Sequence, residues 1–196
     1  MNQMRKGSGM NQVRWVTAAL ALAALLEASG PARLAAASGV GGARAGAPRS
    51  WLEGLAWVNT RPLTRADLAG KVVVVEFWTF DCINCRRTVP AMKRLEQEYR
   101  GASDVAIVGI HTPELEHERD AGNVRRAVER LGLGYPVARD NELRAWHAFD
   151  NRYWPALYVL DRNDRVRSTH VGELHVGTPA WSELHRTIER LRTERG

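Results

Sequence analysis

Cysteine is nearly absent: 196 residues hold two, Cys82 and Cys85. With no second CxxC and no spaced histidine pair, a structural zinc site lacks donors. An inert bridge across so short a loop would gain little from the entropy of the unfolded chain. Metal half-site and inert bridge therefore stand as the weaker rivals to a redox pair. Lysine is also scarce, occurring only as Lys6, Lys71 and Lys93. The formal charge is +6, and half of that excess lies in residues 1–37. The remainder is mildly basic and lacks the clustered positive face of a nucleic-acid binder. Abundant arginine beside abundant alanine reads as base bias in the gene, not as phosphate recognition. Six histidines follow no metal-ligand spacing, so no metal site and no cofactor is expected. His111, at a strand end, is the one placed near a functional centre; the others read as surface.

Long apolar runs are missing too. Val16 to Leu26, VTAALALAALL, is short for a membrane span. It follows a basic start and precedes Ala35-Ala36-Ala37, small residues of the kind a signal peptidase prefers. Residues 1–37 read as a secretory signal, with an uncleaved membrane anchor as the alternative. Residues 38–50, rich in Gly, Ala, Pro and Arg, read as a flexible linker. A folded domain is expected over 51–196, outside the cytoplasm.

What is present is concentrated between Lys71 and Arg100, KVVVVEFWTFDCINCRRTVPAMKRLEQEYR. Val72 to Val75, Glu76 and Phe77-Trp78 read as a strand buried on both faces. After the cysteines the period changes. Cys85, Val89, Met92, Leu95 and Tyr99 fall on one helix face. The pair thus sits at a strand-to-helix junction, where unpaired N–H groups and the macrodipole favour a thiolate. Two intervening residues let the sulfurs meet across one turn. Glu76, six residues before Cys82, is an acid in an apolar strand. Buried, it would have a raised pKa; at an exposed edge it would simply be ionised.

The other elements follow from pattern. Leu55 to Thr60 reads as a short strand, and residues 59–71 as turn chemistry with a one-turn helix ending at Gly70. Asp104 to Ile110 is a buried strand. Asn123 to Leu131 is a helix closed by Gly132 and Gly134. Tyr135 to Ala138 is a short strand, and Glu142 to Ala148 a helical turn or two. Ala156 to Leu160 and Val166 to Val171 form a hairpin around residues 161–164. Thr178-Pro179 opens a last helix with Trp181, Leu184, Ile188 and Leu191 on its apolar face.

The segment VVVEFWTFDCINC resembles the active site of thioredoxin-fold proteins. FWTFDCINCRRTVP resembles the extracytoplasmic redoxins, the TlpA-like and DipZ-like thioredoxin domains. Glu76 stands where that family has a buried acid, and Pro90 where its first helix is kinked. Trp154-Pro155 stands where a cis-proline faces the disulfide. The resemblance implies an α/β thioredoxin fold, a central mixed sheet flanked by helices, with an N-terminal β extension and a central insertion. It implies that Cys82 attacks a substrate disulfide, that Cys85 resolves the mixed disulfide, and that Glu76 exchanges a proton with Cys85. Pro155 would complete the catalytic set. Trp154, Trp78 and Phe80 would contact substrate, with aromatic packing as the plainer role of Trp78 and Phe80. The expected activity is an extracytoplasmic protein thiol–disulfide oxidoreductase, reducing rather than forming disulfides, with cytochrome c maturation as a possible setting. Expected partners are protein disulfides and a membrane thiol electron donor, with no nucleic acid and membrane contact only through the N-terminal segment. The rivals are a thiol peroxidase of the redoxin group and a copper-handling protein of the same fold.

Overall fold

The computed structural model describes residues 51–194. The expected signal or anchor (1–37) and linker (38–50) lie outside the described residues. In chain order the elements are β1 (Ala56–Trp57), α1 (Arg65–Leu68), β2 (Val72–Trp78), α2 (Ile83–Glu98) and β3 (Val105–His111). A 3₁₀ turn (Glu116–Arg119), α3 (Ala121–Leu131), β4 (Val137–Arg139), α4 (Arg144–Ala148), β5 (Ala156–Leu160), β6 (Val166–Val171) and α5 (Pro179–Thr193) follow.

The strands form one six-stranded sheet in the order β1-β4-β3-β2-β5-β6. β2 runs parallel to β3 and antiparallel to β5, and β6 closes the hairpin on β5. β2 is central and buried along its whole length, which explains a valine run without polar alternation. Its side chains still alternate between two cores. Val72, Val74 and Trp78 pack with Cys85, Met92 and Leu95 of α2 and Ile188 and Leu191 of α5. Val73, Val75 and Phe77 pack with Leu68, Trp146 and Phe149 on the other side. Each such buried aliphatic contributes about 1.5–3 kcal/mol.

Helix ends follow local chemistry. Asp120 accepts the Asn123 N–H at 2.8 Å to start α3, and Gly132 at φ 63° ends it in the left-handed region. Thr178 caps α5 ahead of Pro179. Two expected strands are shorter than the pattern suggested. β1 stops at Trp57 because the Asn59 side chain replaces the backbone. It accepts from Val137 N–H and donates to the Leu133 and Tyr135 carbonyls. β4 begins only at Val137, since Pro136 has no N–H to give the ladder. The 3₁₀ turn was not anticipated.

Candidate active site

The Cys82–Cys85 pair stands at the end of β2, where the chain turns into α2. Cys82 is the N-cap of α2, and its sulfur accepts the Cys85 N–H at 3.3 Å. Both cysteines are free thiols. Cys82 is half-buried, whereas Cys85 is 1% exposed. The outer sulfur can therefore meet another molecule and the inner one cannot. Burial pushes the Cys85 thiol far up, and the adjacent Cys82 side chain adds to the rise. A thiol so held needs a base before it can ionise near neutral pH.

Glu76 lies on the same face of β2 as Trp78 and is 2% exposed. Burial raises its pKa to about 7, with a hydrogen bond from the Tyr135 hydroxyl at 2.8 Å pulling the other way. The Glu76 charge also opposes ionisation of the Cys85 thiol. A carboxyl that titrates near neutrality beside an unusually basic thiol can take that thiol's proton and return it. Gly109, the register partner of Glu76, makes room for this. A Cβ there would meet the Tyr135 ring at 3.0 Å and Trp78 Nε1 at 3.2 Å.

Opposite the thiols, the Trp154–Pro155 peptide is cis. The Cys82 sulfur faces the Trp154 carbonyl at 4.0 Å. The Trp154 indole is fixed from two sides. Its Nε1 donates to the Thr112 carbonyl at 3.1 Å, and its ring lies on Trp146 of α4 with centroids 4.2 Å apart. Trp154-Pro155 lies 72 residues beyond Cys82 in the chain, and the fold brings it to the sulfur. Trp78 and Phe80 are placed differently from a substrate surface. At 2% and 7% exposure they form part of the packing beneath the pair. A ring so covered cannot meet a polypeptide, so the packing role is the one their burial allows. His111 is buried and stacks on Phe80 at 5.4 Å, and burial lowers its pKa to about 4.

Two residues of the site were not singled out in the sequence, Tyr135 and Glu118. Both are distant in the chain and lie in the region read as an insertion. Glu118 accepts hydrogen bonds from the turn that precedes Cys82. Among the described residues, no three His, Cys, Asp or Glu side chains lie together in a way that could hold a metal.

Residues 52–169 match the AhpC/TSA family. The chain is 42% identical over 120 residues to Protein DipZ of Mycobacterium tuberculosis, covering 60% of this chain and 17% of DipZ. It thus spans less than a fifth of that relative's length. It is 28% identical over 118 residues to the thiol–disulfide oxidoreductase YkuV of Bacillus subtilis, covering 60% of this chain and 78% of YkuV. A solved thiol–disulfide isomerase from Corynebacterium glutamicum superposes with a TM-score of 0.62 at 25% identity, covering 71% of this chain and 92% of that one.

Proposed function

The chain belongs to the AhpC/TSA family and has the thioredoxin fold, and from that premise we propose that it is an extracytoplasmic thiol–disulfide oxidoreductase that reduces protein disulfides. One observation carries the reading: a half-exposed Cys82 caps α2 beside the Trp154 carbonyl, with a buried Cys85 and a buried Glu76 behind it.

The steps balance as follows. The Cys82 thiolate attacks one sulfur of the substrate disulfide. That S–S bond breaks, a mixed disulfide forms, and the departing substrate thiolate takes a proton from water. Glu76 removes the proton from Cys85, whose thiolate then attacks the Cys82 sulfur. The second substrate sulfur leaves as a thiolate and takes a proton from water, so the substrate departs with two thiols and the protein keeps a disulfide, having passed on two electrons. Trp154 and Pro155 border this exchange, where an extended substrate chain can lie against the Trp154 backbone. A membrane thiol donor would reduce the protein again. The basic, apolar N-terminal segment supports export as signal or anchor, and apocytochromes c awaiting haem are a fitting client class.

The test is redox titration of the purified protein against dithiothreitol and glutathione, with a model protein disulfide as substrate. Exchange at a potential near that of thioredoxin, about −270 mV, supports the reductant. A potential near about −120 mV would make it an oxidant, and no exchange with either partner would end the proposal. Peroxide turnover or copper retained on both thiols would favour the two rivals. Fusion of residues 1–37 to a reporter active only after export tests the location.

A further inference from the structure

The turn ahead of Cys82 is held from outside by one buried carboxylate. Glu118, on the 3₁₀ turn, has 0% exposure. One of its oxygens accepts from the Thr79 hydroxyl and from the Asp81 N–H at 3.2 Å. The other accepts from the N–H groups of Glu114 and Leu115 at 2.7 and 2.8 Å. Four neutral donors from two chain segments therefore converge on a single side chain. Burial alone would raise its pKa, but the bonds from Thr79 and the backbone outweigh that and hold it below the usual range, so it is ionised.

The network has a direction. The Thr79 hydroxyl gives its proton to Glu118, so toward His111 Nε2, at 3.2 Å, it can only accept. That assigns a proton to His111 Nε2; burial lowers the ring's pKa to about 4, so near pH 7 it is neutral and does not cancel the Glu118 charge. The other charges near Cys82 lie in water. Asp81 is exposed and bonded to His117 at 2.5 Å; Arg87 is exposed and paired with Glu173 at 3.1 Å; Arg86 is exposed. Glu76 sits behind Cys85. Solvent screens the exposed charges far more than it screens Glu118. The end of α2 carries only about half a positive charge, against one full negative charge on Glu118.

We propose that Glu118 is a positioning residue for Cys82: it fixes the Thr79–Asp81 turn and sets a buried negative charge against the positive end of α2. The dithiol state thereby loses stability relative to the disulfide, and the pair becomes a stronger reductant. This deepens the function proposed above and rests on it.

The experiment compares Glu118→Gln with wild type and with Asp81→Asn in the full chain. Gln keeps the shape and one acceptor but removes the charge. At pH 7 the equilibrium of Glu118→Gln with glutathione or dithiothreitol is expected to move toward reduced protein by about tenfold, about 30 mV less negative. Its Cys82 is expected to react faster with iodoacetamide. Asp81→Asn, also a charge removal but in water, is expected to change the equilibrium less than about twofold. A Glu118→Gln protein that melts at lower temperature yet keeps the wild-type equilibrium would overturn the inference and leave a structural role. If Glu118→Gln does not fold, Glu118→Asp decides: it keeps the buried charge, so an equilibrium within about twofold of wild type is expected, and a move of about tenfold toward reduced protein with the charge retained overturns the inference. A wild type that exchanges no electrons removes the activity itself. An active wild type with an unmoved Glu118→Gln removes only this step.

Discussion

At the scale of single residues, the site divides by burial. Cys82→Ser is expected to abolish disulfide reduction, because only that sulfur can be reached. Cys85→Ser is expected to leave attack intact and to accumulate a mixed disulfide, visible as a mass adduct. Glu76→Gln is expected to slow release from that adduct by about 100-fold. In wild type the release rate should climb as pH rises through about 7, where Glu76 becomes a base; in Glu76→Gln the climb should vanish. A rapid-quench pH series checks both. Much of this was legible in the chain. Two cysteines at one-turn spacing, an acid inside a valine run and Trp154-Pro155 before an apolar strand each left a local signal. Tyr135 and Glu118 did not, because their partners are 59 and 39 residues away. A tyrosine at the start of a short strand, or a glutamate in a polar stretch, shows nothing of a bond formed only when the sheet closes.

At the scale of elements, periodicity did well where an element carries its own pattern. The valine run of β2 and the four-and-three spacing along α2 locate both, because burial of a whole strand or helix face requires that spacing. β1 and β4 were overextended, since their ends depend on Asn59 and Pro136. α4 shows how a short element can serve the site. Its first residue follows Leu143 at φ 57°, with no side-chain cap there. Asp140 does the capping, accepting from Arg144 N–H at 2.8 Å and Trp146 N–H at 2.9 Å. Trp146 in turn supports Trp154. Asp140→Ala is expected to cost about 1–3 kcal/mol in urea unfolding. It should also weaken substrate binding, seen as a higher KM, because the Trp154 platform loosens.

At the scale of the whole molecule, two buried groups make stability depend on pH with opposite signs. Glu76 binds its proton more tightly folded than unfolded, about 7 against 4.5. Its contribution is full below about 4.5 and is lost as pH rises through about 7, a loss of roughly 3 kcal/mol at 1.36 per unit. His111 is the reverse, about 4 folded against 6.5. Its contribution is full above about 6.5 and is lost as pH falls through about 4. The two slopes oppose each other between about 4.5 and 6.5, Glu76 alone acts from there to about 7, and above that both are flat. Urea midpoints should therefore stay nearly level from about pH 4.5 to 6.5 in wild type and rise over that range in Glu76→Gln. Chain order and alternation were enough to anticipate a mixed sheet with a closing hairpin, but not the coupling of distant acids through it. The depth of the Cys85–Glu76 pair, at 1% and 2% exposure, has one more consequence. No dissolved buffer molecule can reach a proton held there, so changing the concentration of imidazole or phosphate at fixed pH should leave the release step untouched. On the proposed mechanism, the proton that Glu76 takes from Cys85 passes within the protein.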